Sequence, residues 1–214
     1  MFESPTTHAE VERTPWVSEG SPKLAFDLNN IHVKPLAKKH KRGAFVCTNI
    51  KIQNYCRNNA AQNHANFMVR VFVACEGDSS NVLGYYYLAL TAYKIKKGNT
   101  DSDGVHLDDL SDAKFGRVAA VPAVYLGMIG VDSGCQKRGI GKILMMDAIQ
   151  RTAKIAEHAG TYALALDALD WTLVEYYREQ FGFQTFKEGS GLEMFLPITT
   201  IMAAVPSEDR NLSE

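Results

Sequence analysis

The chain has 214 residues, enough for one sizeable α/β domain with a full core and short for two. Hydrophobic residues make up 46% and charged residues 22%, both ordinary globular values, and the formal net charge is −1. The uncharged stretch 118–131 is broken by Pro122, Gly127 and Gly130, and the N-terminus carries Glu3, Glu10 and Glu12 without an apolar core, so neither a membrane span nor a secretory signal is expected and the chain reads as a soluble, cytoplasmic protein.

Residues 1–30 are rich in Ser, Pro, Thr, Glu and Asn and lack a sustained period, as in a loosely ordered acidic extension on which Trp16 and Phe26 offer docking points. Residues 31–36 predict a short strand leading into a basic loop, 37–43. The spacing of Ile52, Tyr55, Cys56, Asn59 and Ala60 predicts an amphipathic helix over 49–63, with Asn49 as its cap. Two β-rich runs, 68–75 and 82–90, flank a polar Gly-containing turn and predict a hairpin. Residues 92–116 are polar and read as a long surface loop.

An apolar strand is expected over 123–131 and a strongly amphipathic helix over 138–157. In that helix Ile140, Leu144, Ala148, Ile149, Thr152 and Ile155 share one side, while Lys142, Asp147, Gln150, Arg151, Lys154 and Glu157 face away. Gly160 follows its end. A buried strand over 162–166, a helix over 171–180 capped by Asp170, and strands near 183–186 and 194–196 complete the order. The sum is a mixed α/β domain, one sheet with helices against it, over 31–200, followed by a tail over 201–214.

Charge is unevenly spread. Residues 28–75 hold eight Lys or Arg (Lys34, Lys38, Lys39, Lys41, Arg42, Lys51, Arg57, Arg70) and no Asp or Glu. Such a block either concentrates a polyanion or is a solvated face balanced by acids from elsewhere in the fold. The four cysteines, Cys47, Cys56, Cys75 and Cys135, lack metal-ligand spacing and read as reduced thiols; no metal site is expected.

Gln136-Lys137-Arg138-Gly139-Ile140-Gly141-Lys142 comes directly after a strand and opens a helix. Main-chain N–H groups at a helix start point outward, and the macrodipole adds partial positive charge there. Glycines let a phosphate approach the backbone, and the basic side chains add charge, so the segment suits a pyrophosphate. A Walker loop would need a hydroxyl after Lys142, where Ile143 stands. A Rossmann fingerprint would need a third glycine beside Gly139 and Gly141, early in the chain.

This segment resembles the Gln/Arg-x-x-Gly-x-Gly/Ala signature of the GNAT acetyltransferase superfamily. Leu126-Gly127-Met128-Ile129-Gly130-Val131-Asp132 resembles that family's fourth strand, and Asp167-Ala168-Leu169-Asp170, Tyr176-Tyr177 and Phe181-Gly182-Phe183 its fifth strand, fourth helix and Gly-Phe turn. The resemblance implies a GNAT fold with a central, mixed, mostly antiparallel sheet, and acetyl-CoA as co-substrate. It implies that residues 136–142 hold the pyrophosphate and that Ile129, Gly130 and Val131 meet the acyl carbonyl. It also implies a tyrosine as general acid: Tyr177 by spacing, with Tyr176 as the alternative, since one residue rotates a helix by about 100°.

Val33-Lys34-Pro35-Leu36, Phe45-x-Cys47, Phe72-Val73-Ala74 and Gly84-Tyr85-Tyr86 are similar to the GNAT-type toxins of bacterial toxin–antitoxin modules. That resemblance implies acetylation of the amino group of charged tRNA, a block of translation, and a small DNA-binding antitoxin as partner. Lys38, Lys39, Lys41, Arg42, Arg57 and Arg70 would then contact phosphates. An acetyltransferase of small amines or protein amino groups is the other reading. Thr48 stands where a glycine usually follows the cysteine, the acidic extension is long, and one extra residue separates Tyr177 from Phe181-Gly182-Phe183. His64, His106 and His158 read as surface residues and Trp171 as a packing anchor. A homodimer through a sheet edge or the 92–116 loop is open.

Overall fold

The computed structural model describes residues 27–94, 120–186 and 191–205. Most of the N-terminal extension with Trp16 and Phe26, residues 95–119 with His106 and most of the stretch expected as a surface loop over 92–116, and residues beyond Val205 lie outside the described residues, while residues 92–94 belong to a strand.

Seven strands form one sheet: β1 (Ile31–Pro35), β2 (Arg70–Glu76), β3 (Gly84–Lys94), β4 (Ala120–Val131), β5 (Ala163–Asp167), β6 (Gln184–Thr185) and β7 (Glu193–Pro197), in the order β1-β2-β3-β4-β5-β7-β6. Every neighbouring pair is antiparallel except β4–β5. That pair is parallel because a 19-residue helix, α3 (Ile140–His158), carries the chain back across one face of the sheet. The mixed, mostly antiparallel sheet expected from the sequence is present.

Alternation along the strands divides the apolar residues between two cores. Phe72, Ala74, Tyr86, Leu88, Val124, Leu126, Leu164 and Leu166 pack beneath α3, α4 (Trp171–Phe181) and α5 (Ile198–Ala204). Ile201 and Val205 are part of this larger core. On the opposite face Val71, Val73, Cys75 and Tyr85 pack against Phe45 and α1 (Ile50–Asn54).

The helix expected over 49–63 is interrupted. Asn49 Oδ1 accepts the N–H groups of Lys51 (3.0 Å) and Ile52 (3.3 Å) and starts α1. A π turn over Tyr55–Asn59 follows, then α2 (Ala60–Ala65). Arg42 donates to the carbonyls of Cys56 and Arg57 inside that turn, at 3.0 Å each, and Arg57 Nε donates to the Phe45 carbonyl at 2.8 Å. Two basic residues of the acid-free stretch therefore tie the loop before α1 to the wide turn.

Two side chains expected to face solvent on α3 do not. Asp147 accepts the Tyr86 hydroxyl and, from Arg151, Nε at 2.8 Å and Nη2 at 3.1 Å. The Arg151 guanidinium lies 4.0 Å from the centroid of the Phe72 ring. The sheet reaches far enough under α3 to cover this flank, and the charges are admitted because each is paired.

Candidate functional site

β4 and β5 run together only from Ala123↔Ala163 to Leu126↔Leu166 and then part. β4 continues to Val131, held on its other side by β3, whereas β5 ends at Asp167. The register against β3 slips between Tyr85 and Tyr87, where Met128 and Ile129 stand against one residue. Met128 has φ +50°, a left-handed conformation uncommon for a residue with a side chain. Gly127 and Met128 then share the α1 face, and Ile129 and Val131 turn to the α3 face.

The parted strands leave a cavity of about 230 Å³. Residues 125–129 form one wall, Leu166 and Asp167 the other; Leu169, Leu173 and Tyr177 close it from the α4 side, and Ile52 and Tyr87 from the α1 side. Gly130 admits α1, since a Cβ there would lie 2.5 Å from the Ile52 Cγ2.

Beyond β4 the chain turns on Asp132. Its Oδ1 accepts the Gly134 N–H (3.0 Å), its Oδ2 accepts the Val46 N–H (2.8 Å), and its own N–H donates to the Leu83 carbonyl (2.8 Å). This residue was not singled out in the sequence, although Asp-x-Gly is a signal for such a turn. The helix then begins at Ile140, two residues later than expected, because Lys137 (φ +59°) and Gly139 (φ +88°) adopt left-handed backbone that a helix cannot contain. Gly139 caps without a side-chain hydrogen bond, and its carbonyl takes the N–H groups of Lys142 and Ile143. The N–H groups of Ile140 and Gly141 thus belong to an uncapped first turn, the arrangement that accepts an anion. Lys137 and Lys142 are exposed beside it, Arg138 is half-buried, and Gln136 Nε2 donates to the Val131 carbonyl at 3.3 Å, joining the turn to the end of β4. These residues fit a pyrophosphate.

The two tyrosines separate clearly. Tyr177 is 7% exposed and lines the cavity; Tyr176 is 39% exposed and lies outside its lining. The extra residue before Phe181-Gly182-Phe183 is absorbed downstream. The helix runs on to Phe181, and Gly182 (φ +77°) closes it by donating to the Arg178 carbonyl, so the phase at Tyr177 is kept. Burial, with smaller contributions from Tyr176 and Asp170, pushes the Tyr177 phenol up to about 12. It is therefore a neutral donor at ordinary pH.

The basic candidates fall into two sets. Lys38, Lys39 and Lys41 are exposed on one loop, which His40 pins by accepting the Ala37 N–H at its Nδ1 (2.9 Å). Arg70 is exposed, with its guanidinium 5.1 Å from the Phe67 ring centroid. Arg42 and Arg57 are half-buried and occupied by main-chain carbonyls. His64 corrects an expectation: it is half-buried and accepts the Val71 N–H at 3.0 Å, and burial and Arg70 hold its pKa below the usual value. Trp171 corrects another, since it is 49% exposed at the start of α4. All four cysteines are free, and no helix among the described residues is long and apolar enough to cross a membrane.

Residues 65–183 match the model of the acetyltransferase (GNAT) family. The "Probable toxin TacT" of Sinorhizobium fredii (strain NBRC 101917 / NGR234) is 32% identical over 181 residues, 79% of this chain and 92% of that protein. A "tRNA-acetylating toxin" of Mycobacterium tuberculosis (strain ATCC 25618 / H37Rv) is 30% identical over 118 residues, 55% of this chain and 63% of that protein. Among solved structures, AtaT complexed with acetyl-methionyl-tRNAfMet superposes with a TM-score of 0.67 at 19% identity, covering 81% of this chain and 98% of that one. The forked sheet, the uncapped basic turn and the matched segment agree: the chain belongs to the GNAT acetyltransferase family.

Proposed function

We propose that this protein transfers an acetyl group from acetyl-CoA to the α-amino group of aminoacyl-tRNA, and that it acts as the translation-blocking toxin of a toxin–antitoxin pair. The observation that carries the reading is the fork itself, a cavity between β4 and β5 with a buried, neutral tyrosine on one side, together with an uncapped, lysine-flanked helix start that follows β4 in the chain. The relative named a tRNA-acetylating toxin supports the choice of acceptor, and the one named a probable toxin supports the toxin role.

Acetyl-CoA supplies the acyl group activated as a thioester. Main-chain amides at Ile140 and Gly141, with Gln136, Lys137, Arg138, Gly139 and Lys142 around them, hold the pyrophosphate. The backbone of Ile129, Gly130 and Val131 polarises the acyl carbonyl, as fixed donors at a site of developing negative charge do. The Tyr177 hydroxyl, a phenol that stays protonated well above neutral pH, gives its proton to the departing sulfur. Lys38, Lys39 and Lys41, with Arg70, track acceptor phosphates. The catalytic domain runs from residue 31 through α5 and does not stop at 200, since Ile201 and Val205 pack in its core; a small DNA-binding antitoxin is the partner.

The test is to incubate the protein with acetyl-CoA and a pool of charged tRNAs, hydrolyse the ester, and look for N-acetyl amino acids by mass spectrometry. Acetylated amino acid from one or a few tRNAs is expected. Turnover with free polyamines or peptides, and none with any charged tRNA, would overturn the reading of the acceptor.

A further inference from the structure

One charged group at the fork has no part in the chemistry so far. Asp167 is the last residue of β5, one position beyond the final β4–β5 pair, and it lines the cavity. Strand alternation puts it on the face of Ala163 and Ala165, opposite to Leu164 and Leu166, which pack into the core beneath α3 and α4. Asp167 and Tyr177 therefore border the cavity from opposite faces of the sheet.

The carboxylate is held but not neutralised. Tyr125 donates its hydroxyl to Asp167 Oδ2 at 2.7 Å across the gap between the strands. Among the described residues this is the one hydrogen bond the Asp167 side chain makes, and no Lys, Arg or His is paired with it; the residue is exposed, with Glu193 opposite it on β7. Burial, with the hydrogen bond to Asp167 and its charge, pushes the Tyr125 phenol upward, so Tyr125 stays the donor in this pair. Tyr87 and Tyr125 stand side by side in the same wall, ring centroids 6.5 Å apart. An oriented carboxylate with lone pairs to spare, next to aromatic faces, is chemistry that binds an ammonium group.

We propose that Asp167, oriented by Tyr125 and flanked by Tyr87, is the docking point for the α-ammonium group of the acceptor. The inference rests on the acyl-transfer reading and deepens it. A nitrogen anchored there stands on the α1 face of the fork, on the other side of the sheet from Tyr177, and releases its extra proton to solvent at the exposed Asp167 carboxylate before its lone pair attacks. The anchor selects charged over deaminated or already acylated esters, because neither of the latter carries a cation. A mere strand tether would behave differently, since an amide in place of the carboxylate still accepts the Tyr125 hydroxyl.

Steady-state kinetics on the full chain separate these cases. Asp167→Asn is expected to raise KM for aminoacyl-tRNA about ten-fold, as for loss of a charged hydrogen bond, and to leave KM for acetyl-CoA within about two-fold. Tyr125→Phe, which keeps the charge, should raise the tRNA KM less. Wild-type protein should also bind aminoacyl-tRNA more tightly than the same tRNA carrying the α-hydroxy acid, and Asp167→Asn should lose that preference. An unchanged tRNA KM and an unchanged preference in a variant that melts like wild type would overturn the proposal, as would an equal rise in both KM values. If the wild type acetylates no charged tRNA but does acetylate free amines, the choice of tRNA fails, and Asp167 is judged by the same ratio on KM for the amine.

Discussion

A methyl group on Gly127 would lie 2.2 Å from Cζ of Tyr87, so the end of β4 and that ring occupy adjoining space with nothing to spare. The ring is also packed on Tyr55, with centroids 5.2 Å apart, and cannot simply swing away. Gly127→Ala is expected to destabilise the protein by about 1–3 kcal/mol through overpacking. A lower urea midpoint at unchanged slope would show it. Adding Tyr87→Ala opens the space, so the double variant should lose less than the sum of the two single losses.

Tyr177 and Tyr176 are neighbours in sequence with opposite exposures. Tyr177→Phe should lower kcat by about 10²–10⁴-fold, the range for a lost general acid, with acetyl-CoA affinity by calorimetry unchanged. Tyr176→Phe should stay close to wild type. Equal losses in the two variants would contradict the assignment.

Alkaline pH should weaken the fold in a defined window. The Tyr177 and Tyr93 phenols and the Cys56 thiol are each pushed up to about 12, in every case mainly by burial. In the unfolded chain they ionise near 10 for the phenols and about 8.5 for the thiol. Between those values and 12 the folded protein holds protons that the unfolded chain has released, so stability falls as pH rises. Urea midpoints should decline steadily from about pH 9 upward. Cys56→Ser should flatten the first part of that decline, and kcat should show no descending limb from Tyr177 below about pH 11.

Asp147 joins Tyr86 and Arg151 under α3, with side chains 18% and 29% exposed for the charged pair. Tyr86→Phe removes one hydrogen bond to a carboxylate and should cost about 1.5–3 kcal/mol. Arg151→Ala should cost more, because it also strips the cation from Asp147 and from the Phe72 ring. Chemical denaturation of both variants checks the order.

The exposed lysines and the half-buried arginines should part company in assay. Replacing Lys38, Lys39 and Lys41 by Ala should raise KM for tRNA and flatten its salt dependence while leaving stability and acetyl-CoA affinity alone. Arg42→Ala should instead lower the melting temperature, since it frees the carbonyls of Cys56 and Arg57 inside the π turn.

Much of the fold was legible because its signals are local. Asn49 and Asp170 cap helices by hydrogen bonds one turn long, Gly182 ends α4, and the apolar strands alternate or run unbroken. The pyrophosphate turn was legible for the same reason, although its left-handed Lys137 and Gly139 delay the helix by two residues. What stayed hidden depends on contacts distant in sequence. The π turn is fixed by Arg42, and the place of Asp147 by Tyr86, 61 residues earlier. The setting of Asp167 depends in the same way on Tyr125, 42 residues before it, whose hydroxyl donates to the carboxylate.

The bulge at Met128 has a last implication, for how this protein can vary. Because two residues there stand against one, Gly127 and Met128 face the same way, and everything from Ile129 onward is shifted by one step of the pleat. Removing or adding a single residue anywhere between Leu126 and Val131 would exchange the sides to which Ile129, Gly130 and Val131 belong. Gly130 would no longer lie under Ile52, and Val131 would no longer meet Gly141. Descendants of this sequence are thus held to the same residue count along the strand's end, and to glycine at 127 and 130, where a Cβ would meet Tyr87 and Ile52.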